Sequence, residues 1–86
     1  MKRTEQLQEA LERIGKMVKT LREQRKLTQL ELAVKMEVAQ AHVSKLESGE
    51  SNPTVETLIK AGNALGYALD INYARMGEAF EGNQEK

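Results

Sequence analysis

The stretch LTQLELAVKMEVAQAHVSKLESG, residues 27–49, decides the fold. Thr28-Gln29-Leu30-Glu31 has the form of a capping box, in which a Thr hydroxyl and a Glu carboxylate satisfy each other's backbone amides at a helix start. Leu32, Ala33 and Met36 follow at helical spacing, which predicts a helix to about Lys35 that buries those side chains. After a tight turn at Met36-Glu37-Val38, a second helix is expected from about Ala39 to Glu47, with Val43 and Leu46 inward. Gly49 closes it as a left-handed cap. Two helices this short bury too little to stand alone, so they must pack on their neighbours.

Upstream, Leu7, Leu11, Ile14, Val18 and Leu21 form one apolar seam of a helix. Thr4 is its expected cap, and it ends near Gln24 to Lys26. Gly15 lies inside it and weakens it by about 1 kcal/mol relative to Ala. Downstream, Pro53 or Thr54 opens a helix from Val55 to about Leu65, expected to turn Val55, Leu58, Ile59 and Leu65 inward and to end at Gly66. Val34 is assigned to packing.

Beyond Gly66 the apolar repeat changes from helical to alternating. Leu69, Ile71 and Tyr73 interleave with Asp70, Asn72 and Ala74, which predicts a strand. A solitary strand leaves its backbone groups unpaired, and a second copy of the chain is the simplest partner. The fold class is therefore mostly α, with four to five helices and a C-terminal strand paired across a dimer. Residues 1–13 extend the first helix, 14–66 form the main domain, 67–75 the dimerisation strand and 76–86 a polar, flexible tail.

Eighty-six residues make one small domain, which buries only roughly 60% of its unfolded surface. Oligomerisation is the expected support, since the chain has no cysteine for disulfides or thiolate metal sites. No apolar run approaches membrane-spanning length and the N-terminus lacks a signal-peptide core, so a cytoplasmic protein with no membrane partner is expected. The net charge is zero, but its distribution is uneven. Residues 13–45 carry eight basic and three acidic side chains, whereas 46–86 carry three basic and seven acidic ones. The first block suits a polyanion, although solvated helical surface explains the count equally well. No catalytic constellation is evident: one histidine, no cysteine and no Gly-rich phosphate loop argue against an enzyme, and no cofactor or metal is expected.

The predicted pair of helices has the dimensions of a helix-turn-helix. Its residues resemble the Cro/cI phage-repressor (XRE-like) family: L-T-Q-x-E-L-A at 27–33, V-x-Q at 38–40, S-K-L-E at 44–47 and G-x-x-N-P-T at 49–54. The resemblance covers about residues 14–66. It implies a sequence-specific DNA-binding regulator whose second helix enters the major groove. Gln40 can bond adenine through both amide atoms, Lys45 can donate to guanine or phosphate, and small Ala39 and Ala41 permit close approach.

The same resemblance assigns base readout to Gln40, Ala41, His42 and Lys45. It assigns phosphate contact to Thr28, Gln29, Ser44, Ser51 and Asn52, with Gln29 near Gln40, and makes Arg22 and Glu47 a structural ion pair. Ordinary roles compete: Gln40 and Lys45 as solvated surface, His42 as idle exposure, Ser44 bonded back to its helix, Thr28 as a cap alone. Three residues depart from the pattern. Glu37 stands where the turn usually has Gly, Ala39 where the reading helix usually has a Ser or Thr cap, and Glu50 beside the phosphate-facing loop.

The ending L-G-Y-A-L-D-I-N-Y, residues 65–73, is similar to the strand endings of antitoxins from toxin–antitoxin operons. That similarity implies a homodimer through Leu69, Ile71 and Tyr73, an inverted-repeat operator in double-stranded DNA, autorepression and a toxin protein as partner. The alternative is a protein-interaction module whose main role is binding a toxin or other protein.

Overall fold

The computed structural model describes residues 4–77, built on α1 (Glu5–Gln24), α2 (Gln29–Met36), α3 (Gln40–Ser48) and α4 (Val55–Leu65). Short polar residues set three of the four starts. The hydroxyls of Thr4, Thr28 and Thr54 accept from the amides of Leu7, Glu31 and Thr57 at 3.0, 3.0 and 3.1 Å. Each satisfies a donor that a helix's first turn leaves open.

The ends follow one rule. Every helix stops on a left-handed residue: Lys26 (φ 59°), Glu37 (φ 62°), Gly49 (φ 81°) and Gly66 (φ 87°). The next amide then donates five residues back, Leu27 to Arg22, Val38 to Ala33, Glu50 to Lys45 and Tyr67 to Gly62, at 2.8–3.1 Å. This is the Schellman closure, and it satisfies carbonyls that would otherwise be open. Glycine adopts the conformation freely, whereas a side chain there costs on the order of 1 kcal/mol. Lys26 and Glu37 both bear that cost; the sequence pattern pointed to Glu37 but not to Lys26.

The core lies where α2 and α3 meet and is flanked by α1 and α4. Leu32 and Val43 are fully buried, and Leu46, Leu65, Ala33, Ala61, Met36 and Val18 complete the cluster. Gly15 is buried on α1, where a Cβ would lie 2.5 Å from the carbonyl oxygens of Leu46 and Glu47. The glycine is thus a packing requirement of α1 against α3, not only a weak point in a helix. Leu11 is buried in the single chain, and the Glu12 backbone lies against Gly49, so α1's early turns rest on the end of α3.

Several expectations need correction. Val55 and Ile59 are 55% and 42% exposed, because α4 turns Ala61 and Leu65 inward, and Val34 on α2 is 67% exposed. Among the described residues there are four helices, within the four to five expected, and no strand is seen in the single chain. A ladder needs a second edge, and the described residues of the single chain offer none to residues 69–73. Leu69, Ile71 and Tyr73 are accordingly exposed there. Met76 and Gly77, at the start of the expected tail, are exposed; the remainder of that tail, 78–86, lies outside the described residues.

Candidate nucleic-acid interface

The α2–turn–α3 unit is held at each joint by its own sequence. At the start of α2 the capping box is complete: Thr28 N donates to Glu31 Oε1 at 2.8 Å, and Glu31 N donates to Thr28 Oγ1 at 3.0 Å. Glu37 supplies the left-handed turn. Ala39 takes the N-cap position of α3 without a side-chain bond, and its carbonyl accepts from His42 N at 2.9 Å. The α3 helix is anchored by Val43 and Leu46, no more than 1% exposed. Gln40, Ala41, Ser44 and Lys45 are exposed on its other side, and His42 is half-buried. The side chain that bonds back to its own helix is Ser48, whose Oγ donates to the Lys45 carbonyl at 3.2 Å.

Behind this face, one carboxylate ties three helices together. Glu47 on α3 has a side chain only 3% exposed. Its Oε2 accepts from Arg22 Nε of α1 at 2.7 Å, and its Oε1 accepts from Arg22 Nη2 at 3.0 Å. Oε1 also accepts from Gln29 Nε2, at the first residue of α2, at 3.1 Å. Arg22 Nη1 donates to the Leu27 carbonyl at 2.7 Å. The hydrogen bond that the guanidinium donates to Glu47 chiefly raises its pKa above the ordinary value, against the opposing effect of burial. Gln29, expected at a phosphate, therefore has a structural partner within the protein. Nothing in the sequence motif announced that link.

In the α3–α4 loop, Ser51 N donates to the Lys45 carbonyl at 3.3 Å, so this amide is already engaged. The Ser51 hydroxyl is buried without a hydrogen-bond partner, and Asn52 is exposed. At the far end of the domain Arg25 lies 5.8 Å from the centre of the Tyr67 ring. Its guanidinium occupies the space a Cβ on Gly66 would need. Among the described residues, no group of His, Cys, Asp and Glu is placed to hold a metal, and no helix is long and apolar enough to cross a membrane.

A capped helix, a left-handed turn and a second helix anchored on one side and open on the other are now in place. The family model described as Helix-turn-helix (HTH_3) matches residues 18–72. The chain belongs to this helix-turn-helix family. An immunity repressor protein of Bacillus phage phi105 is 36% identical over 53 residues, 62% of this chain and 37% of the repressor's own length. The chain thus spans little more than a third of that relative.

Solved structures of regulators agree in fold. The clp gene regulator ClgR of C. glutamicum superposes with a TM-score of 0.67 at 28% identity, covering 73% of this chain and 77% of that one. The restriction-modification controller protein C.AhdI of Aeromonas hydrophila gives 0.68 at 25% identity, covering 70% and 87%. An HTH_3 family transcriptional regulator from Vibrio cholerae gives 0.69 at 31%, covering 72% of this chain and 35% of that one. The family match begins at Val18, within α1.

Proposed function

We propose that this protein is a sequence-specific DNA-binding transcriptional repressor, with α3 as the reading helix. The carrying observation is the division of α3 into two faces. Val43 and Leu46 are locked in the core while Gln40, Ala41, Ser44 and Lys45 face outward. A helix so held enters a major groove without reorganisation, with Gln40, Ala41, His42 and Lys45 at base edges. Phosphates are met by Thr28, Gln29, Ser44, Ser51 and Asn52. Those contacts set register rather than sequence. At Thr28 the hydroxyl oxygen also serves the cap, and at Ser51 the hydroxyl is buried and the amide bonded to the Lys45 carbonyl, so contact there requires the loop to adjust on binding.

The test is binding to duplex DNA from the region upstream of its own gene, against random duplex, over a range of salt. Specific affinity should exceed nonspecific affinity by at least about a thousandfold. Gln40→Ala and Lys45→Ala should each remove much of that margin. Equal affinity for both duplexes would reject the proposal.

The functional unit in this reading is a homodimer on an inverted-repeat operator. Its support is the exposed alternation of Leu69, Ile71 and Tyr73 on a segment with no ladder partner among the described residues. Antiparallel pairing with Ile71 on the two-fold axis sets Leu69 opposite Tyr73 on one face and Asp70 opposite Asn72 on the other. Centring on Asp70 instead would oppose like charges.

A second reading is a protein-interaction module, such as an autoregulating antitoxin that caps a toxin. It is favoured by the acidic second half of the chain and by exposed Tyr73 and Met76. Alanine at Gln40 and Lys45 separates the two roles, because DNA binding is lost while partner capture persists.

A further inference from the structure

Gly62 sits inside α4, where glycine is a poorer helix former than alanine. It does not end the helix, because Gly66 does that. Its bare Cα serves the segment that follows: a Cβ on Gly62 would lie 2.9 Å from the Tyr67 carbonyl oxygen. We infer that Gly62, Gly66 and Arg25 form a seat for Tyr67 that fixes the spacing of the two reading helices in the dimer. Gly62 and Arg25 are thereby positioning residues that select the distance between operator half-sites. This rests on the DNA-reading homodimer proposed above and adds a determinant of which operators it accepts.

Tyr67 is held through its amide, its carbonyl and its ring. The amide donates to the Gly62 carbonyl at 2.8 Å. The carbonyl lies over Gly62, where no side chain pushes it away. The Arg25 guanidinium, at the end of α1, stands 5.8 Å from the ring centre, inside the roughly 6 Å over which a cation is drawn to an aromatic face. Its Nη2 also fills the space beside Gly66, where a Cβ would meet it at 2.5 Å. α1 packs on α3 and α4 packs on α2, so the seat is tied to both helices of the helix-turn-helix.

Only Ala68 separates this seat from Leu69, where the alternating segment begins. The segment has a seated root and a clear tip: Leu69 is 38% exposed, Ile71 65%, and Tyr73 fully. When two such segments pair, the angle at the root decides where each reading helix lies, and two-fold symmetry repeats any change. One added base pair moves two half-sites apart by about 3.4 Å and turns one against the other by roughly 35°. A dimer with fixed roots matches one spacing, whereas loose roots follow several.

The experiment is selection from a pool of randomised duplexes, using the full chain and two variants, with a thermal melt and a solution mass for each. Wild-type protein should enrich an inverted repeat at one centre-to-centre spacing, by at least about tenfold over spacings one base pair longer or shorter. Gly62→Ala drives the Tyr67 carbonyl from its place while favouring the helix itself. Arg25→Ala frees the ring. Both variants should remain dimers and enrich the same half-site sequence, but spread over neighbouring spacings. The cation lost in Arg25→Ala weakens all duplexes alike and does not move this distribution.

A single unchanged spacing in both variants overturns the inference. So does a monomeric mass for either variant, which would make the seat part of the joint rather than its guide. If Gly62→Ala does not fold, Arg25→Ala decides. Wild-type protein that enriches half-sites at no fixed spacing defeats the dimer, and one that enriches no motif defeats DNA reading. Both are distinct from failure of the seat, which shows only when the wild-type spacing is narrow.

Discussion

At the scale of single residues, the Arg22–Glu47 pair illustrates how a contact can be costly to break without being a large source of stability. Two buried charges lose hydration that their attraction only partly returns, but removing one strands the other. Glu47→Ala should lower unfolding free energy by about 3–5 kcal/mol in urea titrations, and weaken DNA binding with it. An unchanged urea midpoint would refute the role. The pH dependence follows from the raised pKa of Arg22. A group raised on folding contributes fully below its unfolded value and loses that contribution only as pH climbs through the folded one. Arg22 should therefore add no slope to stability between neutral pH and about pH 10, since a guanidinium stays charged in both folded and unfolded states across that range. Glu37 offers a test of opposite sign. Its φ of 62° lies where a Cβ is strained, so Glu37→Gly should stabilise the domain by up to about 1 kcal/mol. The left-handed demand at this site was legible in the sequence because neighbouring motif residues fix its place in the turn. The Gln29–Glu47 bond was not, since no local pattern joins residues on different helices.

At the scale of elements, helix starts were legible because caps are local chemistry. Thr28 and Glu31 act on each other three residues apart, and both bonds form. Ala39 was equally readable as a missing cap, and its extended backbone (φ −72°, ψ 151°) is already suited to one. Ala39→Ser should raise stability by about 1 kcal/mol, measured by thermal melting. Inward faces were harder. On α4, apolar Val55 and Ile59 share a broad stripe with Leu58 and Leu65, and periodicity alone does not say which edge of a stripe meets a neighbour. Gly15 shows the same limit in reverse. Helix propensity makes Gly15→Ala stabilising by about 1 kcal/mol. The close approach of α3's backbone makes it destabilising instead, because the added methyl would sit 2.5 Å from two carbonyl oxygens. A cost of about 1–3 kcal/mol is expected. A higher melting temperature for this variant would show that α1 and α3 separate easily.

At the scale of the whole molecule, the four-helix arrangement was implied by motif order, while the state of residues 67–77 depends on something outside one chain. The absence of native cysteine gives a clean test of the proposed pairing. Residues directly opposed in an antiparallel pair lie about 4.5–5.5 Å apart at Cα, within reach of a disulfide. Ile71→Cys should therefore cross-link to a covalent dimer under mild oxidation, and Asp70→Cys, displaced from the axis, should do so poorly. A monomeric mass for the unmodified chain at micromolar concentration would remove the dimer from the proposal. The junction at Glu47 also bears on how the protein is made. Its carboxylate emerges from the ribosome 25 residues after the guanidinium it neutralises. Until then α1 has neither its counter-charge nor the α3 backbone on which Gly15 rests. A nascent chain paused short of that point holds its longest helix undocked, so assembly waits on late synthesis and fragments ending before it should be cleared by proteolysis.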